Sequence, residues 1–271
     1  MQAEKWPAGK KDFLKMGTGK EAYPAVLVLT EDKREEGKRL ADHLGVPLYS
    51  SAEEAQELSF YLRMDKTGLS LVSGQLSLWG DFRRMLRRIT GGRLDHELLV
   101  KAARRKNFGE KPHAIDATAG MGEDSLLLAA AGFYVTLCEY NPVTAALLKD
   151  AHERALSDPD LSETAGRMEI LETDSVSYLT SLRERPDLIL LDPMFPAKQK
   201  NALTAKKLQL LQKLEKPCAG EEALLRAAIQ AGPEKIIVKR PLKGPYLAGR
   251  KPGYSIEGKT IRYDCLVFQK S

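Results

Sequence analysis

The sequence predicts an α/β protein in which an open, largely parallel sheet carries helices on both faces and follows a small amino-terminal α/β domain. Three observations predict it. From His113 onward, short aliphatic runs alternate with stretches of helical length, the pattern of a parallel sheet. Leu188-Ile189-Leu190-Leu191 is apolar at every position, as a strand covered on both faces must be. Before about Trp79 the elements are shorter and include a hairpin turn, so that region reads as a separate unit. At 271 residues the chain has room for one large domain and a smaller one. The expected boundaries are 1–82 for the small α/β domain, 83–110 for a basic helical linker and 111–271 for the large domain.

The first ~20 residues are polar and rich in Lys and Gly, and carry no assignment. Ala25 to Leu29 reads as a strand, Thr30 as the N-cap of a charged helix from Glu31 to Leu44, and Gly45 as its end. Val46 to Tyr49 is a short strand. Asp65-Lys66-Thr67-Gly68 turns the chain between two apolar runs, and Gln75 to Trp79 adds a further strand. The large domain then offers strands at His113–Ala117, Tyr134–Glu139, Met168–Leu171, Leu188–Leu191 and Lys235–Lys239. Helices are expected from Asp124, from Pro142 (a favoured first helical residue), from Ser175, over about 203–214 and from Glu221. Tyr254–Gly258 and Thr260–Phe268 close the chain as two adjacent strands.

Composition narrows the class. With 43% hydrophobic and 29% charged residues, neither disorder nor a fibre is favoured. No apolar run approaches the roughly 18 residues that span a bilayer, and the start lacks a signal-peptide core, so a cytoplasmic protein is expected. Cys138, Cys218 and Cys265 form no CxxC pair and should be free thiols. His43, His96, His113 and His152 show no ligand spacing, which argues against a metal centre. No P-loop and no Gly-x-Ser-x-Gly elbow occurs.

Two loops carry the chemistry. The strand ending at Leu191 stops at Asp192-Pro193-Met194-Phe195-Pro196, where two prolines cannot continue a ladder and the chain must turn out of the sheet. The Asp192 carboxylate and the Pro193 carbonyl can accept both hydrogens of a planar amine, while Phe195 can stack on the ring that bears it. Upstream, Asp116-Ala117-Thr118-Ala119-Gly120-Met121-Gly122-Glu123-Asp124 joins a strand to a helix, where glycines let backbone approach a ligand closely. It lacks the GxGxxG of dinucleotide enzymes. It resembles instead the first motif of S-adenosylmethionine-dependent methyltransferases, with Thr118 in place of the usual first glycine. In that setting Asp116, Gly120 and Gly122 belong to the cofactor loop. Glu139, ending the second strand, suits the ribose hydroxyls; Tyr140 suits the adenine face; and Asp174 and Ser175 stand where this class holds the adenine amino group. Glu123 and Asp124 can reach the methionine end.

Four pieces together, Asp116 to Gly122, Glu139 to Leu148, Leu191 to Lys200 and Val238-Lys239-Arg240-Pro241, resemble the RsmJ family, bacterial methyltransferases that modify the N2 amino group of a guanine in small-subunit 16S ribosomal RNA. The likeness covers roughly residues 83 to 268. It implies a Rossmann-like class I methyltransferase fold, S-adenosyl-L-methionine as cofactor, and the small ribosomal subunit or its RNA as partner. It implies cofactor contacts at Glu123, Asp124, Glu139, Tyr140, Asp174, Ser175 and Asp192.

RNA contacts are expected at basic residues. Arg84 and Arg88 belong to a tract, Arg83 to Arg88, whose arginines would share one face of a helix. Lys198 and Lys200 follow the Asp192 loop, and Lys239 and Arg240 follow the fifth strand. Rival readings are a methyltransferase acting on adenine N6 or another amine, an NAD-dependent oxidoreductase, and an RNA-binding module without catalysis.

Overall fold

A computed structural model describes residues 25–51, 53–54, 58, 60–104, 109–193 and 220–268. The described residues fall into two compact units, one ending at Gly80 and one beginning at Asp81.

The first unit is a five-stranded sheet. Its strands are β1 (Ala25–Val28), β2 (Leu48–Tyr49), β3 (Phe60–Asp65), β4 (Gly68–Ser73) and β5 (Leu76–Leu78), and α1 (Arg34–Leu44) connects the first two. They lie in the order β2-β1-β3-β4-β5, with β1 parallel to both its neighbours and β3–β5 antiparallel. β1 is buried throughout and β3 is buried at alternate residues, the signatures of an interior strand and a half-covered one. The expected hairpin forms with Asp65 opposite Gly68, and Asp65 Oδ1 accepts the Thr67 N–H at 2.8 Å. Thr30 does not cap α1. The chain enters through a 3₁₀ turn at Glu31–Lys33, and the Thr30 hydroxyl is buried with no hydrogen-bond partner among the described residues.

The second unit is built on a seven-stranded sheet. β6 (His113–Asp116), β7 (Tyr134–Glu139), β8 (Met168–Glu172), β9 (Leu188–Leu191) and β10 (Lys235–Pro241) are parallel. β11 (Tyr254–Glu257) and β12 (Ile261–Val267) complete it, β12 running antiparallel between β10 and β11. The order is β11-β12-β10-β9-β6-β7-β8. Helices α4 (Glu123–Ala130), α5 (Pro142–Leu156), α6 (Ser162–Ala165), α7 (Ser175–Ser181) and α8 (Glu221–Gln230) follow the strands. Alternate strand residues feed two cores. Leu188, Leu190 and Ile237 pack with Leu126, Leu127 and Leu148 on one face, and Ile189, Leu191 and Val238 with Leu179, Leu224 and Leu225 on the other. The helix expected over about 203–214 lies outside the described residues.

From β6 the chain goes to β7 and β8 on one side, then crosses back to β9 and β10 on the other. Strand order therefore reverses between β6 and β9, and the crevice outside the carboxyl ends of these strands is where open α/β sheets bind ligands.

Residues 83–104, expected within a linker, pack as part of the second unit. They form a 3₁₀ turn at Phe82–Met85, one turn of helix, α2 (Leu86–Ile89), and α3 (Leu98–Ala103). Phe82, Met85, Leu99, Val100, Ala102 and Ala103 are buried in its core. α3 ends at Ala103, where buried Lys235 donates to the carbonyls of Ala102 (2.7 Å) and Arg104 (3.0 Å), the role a cation plays at a helix C-terminus.

Candidate active site at the carboxyl edge of the sheet

The loop after β6 is organised around a buried acid. Asp116 accepts the Thr118 N–H through Oδ1 (3.1 Å) and the Ser125 hydroxyl through Oδ2 (2.5 Å), joining strand end, loop and α4. Burial pushes its carboxyl up to about 6 against the pull of these two donors. Gly120 and Gly122 have φ values of 54° and 75°, the left-handed region that glycine enters at little cost. The two differ in surroundings. A Cβ at Gly122 would fall 2.7 Å from Leu148 Cδ1, so packing also demands glycine there, whereas one at Gly120 would meet nothing within 4 Å.

Glu139, at the end of β7, is almost fully buried and held by backbone. Oε2 accepts the Gly120 N–H at 3.0 Å and Oε1 the Asn141 N–H at 2.8 Å. Tyr140 beside it is exposed. Asp174 is exposed and caps α7, its Oδ1 accepting the backbone N–H and the hydroxyl of Ser177, both at 2.8 Å; Ser175 begins that helix. Glu123 stands exposed in the first turn of α4.

The second loop is tied to the first. The Asp192 N–H donates to the Thr118 hydroxyl at 2.6 Å, and the Ala117 N–H donates to the Leu190 carbonyl at 3.0 Å. Lys239, from the end of β10, bridges two carboxylates: Nζ lies 2.7 Å from Asp124 Oδ2 and 3.0 Å from Asp192 Oδ2. Burial alone would lower the Lys239 ammonium, but Asp124 and then Asp192 outweigh it and hold it well above its ordinary value. Burial raises the Asp192 carboxyl and Lys239 opposes the rise. Tyr263 is paired with Lys239 across the β10–β12 ladder, and its own burial raises its phenol.

Asp116, Gly120, Gly122, Asp124, Glu139 and Asp192 thus stand at adjacent strand ends along one edge, with Pro193 buried immediately after. Phe195, Lys198 and Lys200 lie outside the described residues. Among the described residues no three His, Cys, Asp or Glu side chains gather as a metal site, and no helix is long and apolar enough to cross a membrane.

Residues 49–268 match the family model described as "Putative SAM-dependent methyltransferase". The chain belongs to this family. It is 37% identical, over 88% of its length and 92% of the relative's, to ribosomal RNA small subunit methyltransferase J of Pseudomonas aeruginosa. Against the protein of that name from Thioalkalivibrio sulfidiphilus it is 38% identical over 88% of its length and 95% of the relative's. These relatives place it in the methyltransferase J family. A crystal structure of a SAM-dependent methyltransferase from Neisseria gonorrhoeae superposes with a TM-score of 0.68 at 28% identity, covering 90% of this chain and 96% of that one.

The cofactor of this methyltransferase is S-adenosylmethionine. The residues present fit it: a glycine turn with open space at Gly120, a carboxylate fixed at a strand end, and an exposed aromatic ring beside it.

Several basic residues in the methyltransferase stand differently from expectation. Arg240, expected at the surface, is not exposed. Its side chain is fully buried, paired with Glu221 at 3.1 Å and donating to the Pro245 carbonyl at 2.9 Å, because strand alternation turns it away from Lys239. Lys239 belongs to the carboxylate cluster. Arg88 forks onto Glu97 at 2.8 and 2.7 Å. Arg83 pairs with Asp158, and Arg84 lies 3.3 Å from Asp81; both remain exposed, as does Arg87. Sequence reasoning missed the link made by Thr118, read as a departure from the glycine motif. The alternation in Val238-Lys239-Arg240-Pro241 was the available signal for separating the two cations.

Proposed function

We propose that this methyltransferase transfers a methyl group from S-adenosylmethionine to the exocyclic N2 of a guanine in 16S ribosomal RNA, acting in the cytoplasm on the small subunit or its RNA. The observation that carries the proposal is the position of Asp192. It leaves β9 at the switch point, is held to the glycine loop through Thr118, and shares a lysine with Asp124. The relatives' name points to small-subunit ribosomal RNA.

When bound, S-adenosylmethionine supplies an electrophilic methyl carbon. Glu139 would hold its ribose hydroxyls, Tyr140 its adenine face, Asp174 and Ser175 its adenine amino group, and Asp124 its methionine end. The exocyclic nitrogen of guanine is a poor nucleophile because its lone pair is delocalised into the ring. Asp192 accepts one N–H and the Pro193 carbonyl the other, which favours a pyramidal nitrogen whose lone pair faces the methyl group. Lys239 favours the ionised form of the Asp192 carboxylate and aims it. The protein contributes mainly position, and as charge builds on nitrogen its proton becomes acidic and passes to the Asp192 carboxylate that already accepts that N–H. A paired guanine must first leave its stack, at a few kcal/mol.

Labelled cofactor offered to small subunits, naked 16S RNA, DNA and protein, followed by mapping of the modified base, tests the reading. Label is expected on a guanine N2; label on adenine N6 or on protein would replace it. Asp192→Ala should lose at least about a hundredfold in kcat with its melting temperature preserved, and near-normal turnover would remove Asp192 from the chemistry.

A further inference from the structure

The cations of Val238-Lys239-Arg240-Pro241 are engaged inside the protein, but the segment that follows them shows a different surface to solvent. We propose that Tyr246, flanked by Lys243 and Lys259, is a stacking platform for a nucleotide of the RNA strand beside the target base. The inference rests on the reading above, that the substrate is RNA.

The segment leaves β10 at the same carboxyl edge as Asp116 and Asp192. Two buried arginines clamp its backbone. Arg240 donates to the Pro245 carbonyl, and Arg262 donates to the carbonyls of Pro241 (2.9 Å) and Leu242 (2.7 Å) while its Nε lies 2.8 Å from Asp264. The Leu242 N–H donates to the Thr260 carbonyl at 2.9 Å, which brings Lys243 beside the β11–β12 turn that carries Lys259. Above this frame the Tyr246 ring covers the Arg262 guanidinium at 5.0 Å, yet the residue is 39% exposed.

Arg262 already has a carboxylate and two carbonyls, so it does not need the ring to satisfy it. A ring seated with one face on a fixed guanidinium can offer its other face to a base, and stacking of this kind tolerates any base. Lys243, Arg250, Lys251 and Lys259 are exposed along the same segment, against one exposed carboxylate, Glu257. Among the described residues none of these four cations is held in an ion pair. A rigid aromatic ring among unpaired cations matches a phosphate-bearing strand better than it matches a protein surface.

The test uses the full chain with S-adenosylmethionine bound and measures affinity for a 16S RNA fragment at several salt concentrations. Tyr246→Ala is expected to raise the Kd for RNA about tenfold. Its cofactor affinity should not change, and the loss in methyl transfer should fall on KM and leave kcat in place. Tyr246→Phe keeps the ring and should recover the affinity. Lys243→Gln combined with Lys259→Gln should reduce the salt slope by about one to two. Should Tyr246→Ala melt early, Tyr246→Leu, which keeps apolar cover over Arg262, is read in its place. Unchanged RNA affinity in a folded variant, with the wild type still methylating ribosomal RNA, overturns the platform and leaves the proposed function standing. Failure of the wild type to bind or methylate ribosomal RNA overturns both.

Discussion

Lys239 and Arg240 are neighbours in the chain and serve opposite faces of the sheet. On one face Lys239 reaches Asp124 and Asp192 at the partly open carboxyl edge, its side chain 25% exposed and that of Asp192 40%. On the other, the Arg240 side chain is itself fully buried and meets Glu221 from α8 and the carbonyl of Pro245. The two cations have similar chemistry and opposite uses. The difference teaches that burial and the identity of the partner, and not charge, separate a cation that joins carboxylates at the open edge from one that holds a loop in place. A cation that water can reach is cheaper to part from its carboxylate than one that is fully buried.

The comparison breaks most visibly at Lys239. Lys239→Met leaves Asp124 and Asp192 facing each other without a cation, and kcat should fall on the order of a hundredfold. Because Lys239 lowers the Asp192 carboxyl, its loss should also move the acid limb of the pH–rate profile to higher pH. A variant with wild-type kcat and an unmoved acid limb would reduce Lys239 to a structural role.

Asp116, which lies on the same face, sharpens the contrast through stability. Its carboxyl is raised to about 6 by burial, so the folded protein holds this proton more tightly than the unfolded chain does. Its contribution to stability is therefore largest at the acid end and is lost as pH rises from about 4 to about 6, at a cost of roughly 3 kcal/mol. Asp116→Asn should flatten that part of the curve in denaturant titrations at a series of pH values; an unchanged slope would show that Asp116 does not titrate there.

On the opposite face Arg240→Met should cost stability and spare chemistry. Removing one partner of a sealed pair costs roughly 3–5 kcal/mol, and because Glu221 is 32% exposed the loss should be nearer about 2. The kcat of the folded fraction should stay within about threefold of wild type, since Arg240 bonds Glu221 and the Pro245 carbonyl and acts on Asp192 only as a charge weaker than that of Lys239. A hundredfold fall in kcat with normal melting would erase the distinction between the two faces.

Much of this is legible in the order of residues. The strand ends that carry Asp116, Glu139 and Asp192 follow from aliphatic runs that stop at an acid, and Pro142 marks the start of α5 as its ring requires. The hairpin at Asp65–Gly68 follows from its turn residues. The partners of the arginine tract were not legible. Residue spacing says nothing of Asp158 and Glu97, which come from other segments to pair with Arg83 and Arg88.

Alone, the sequence determined the parallel sheet, the glycine turn after β6 and the acid-proline loop after β9, because periodicity and the backbone limits of glycine and proline act over a few residues. Tertiary structure decided which polar groups meet. Thr118 finds Asp192 across 74 positions and Lys239 finds Asp124 across 115, pairings set by strand order and by which face each side chain leaves. No local rule encodes a partner that far away, and so the lysine of the carboxylate cluster and the arginine beneath the loop could be told apart only once the sheet had closed around them.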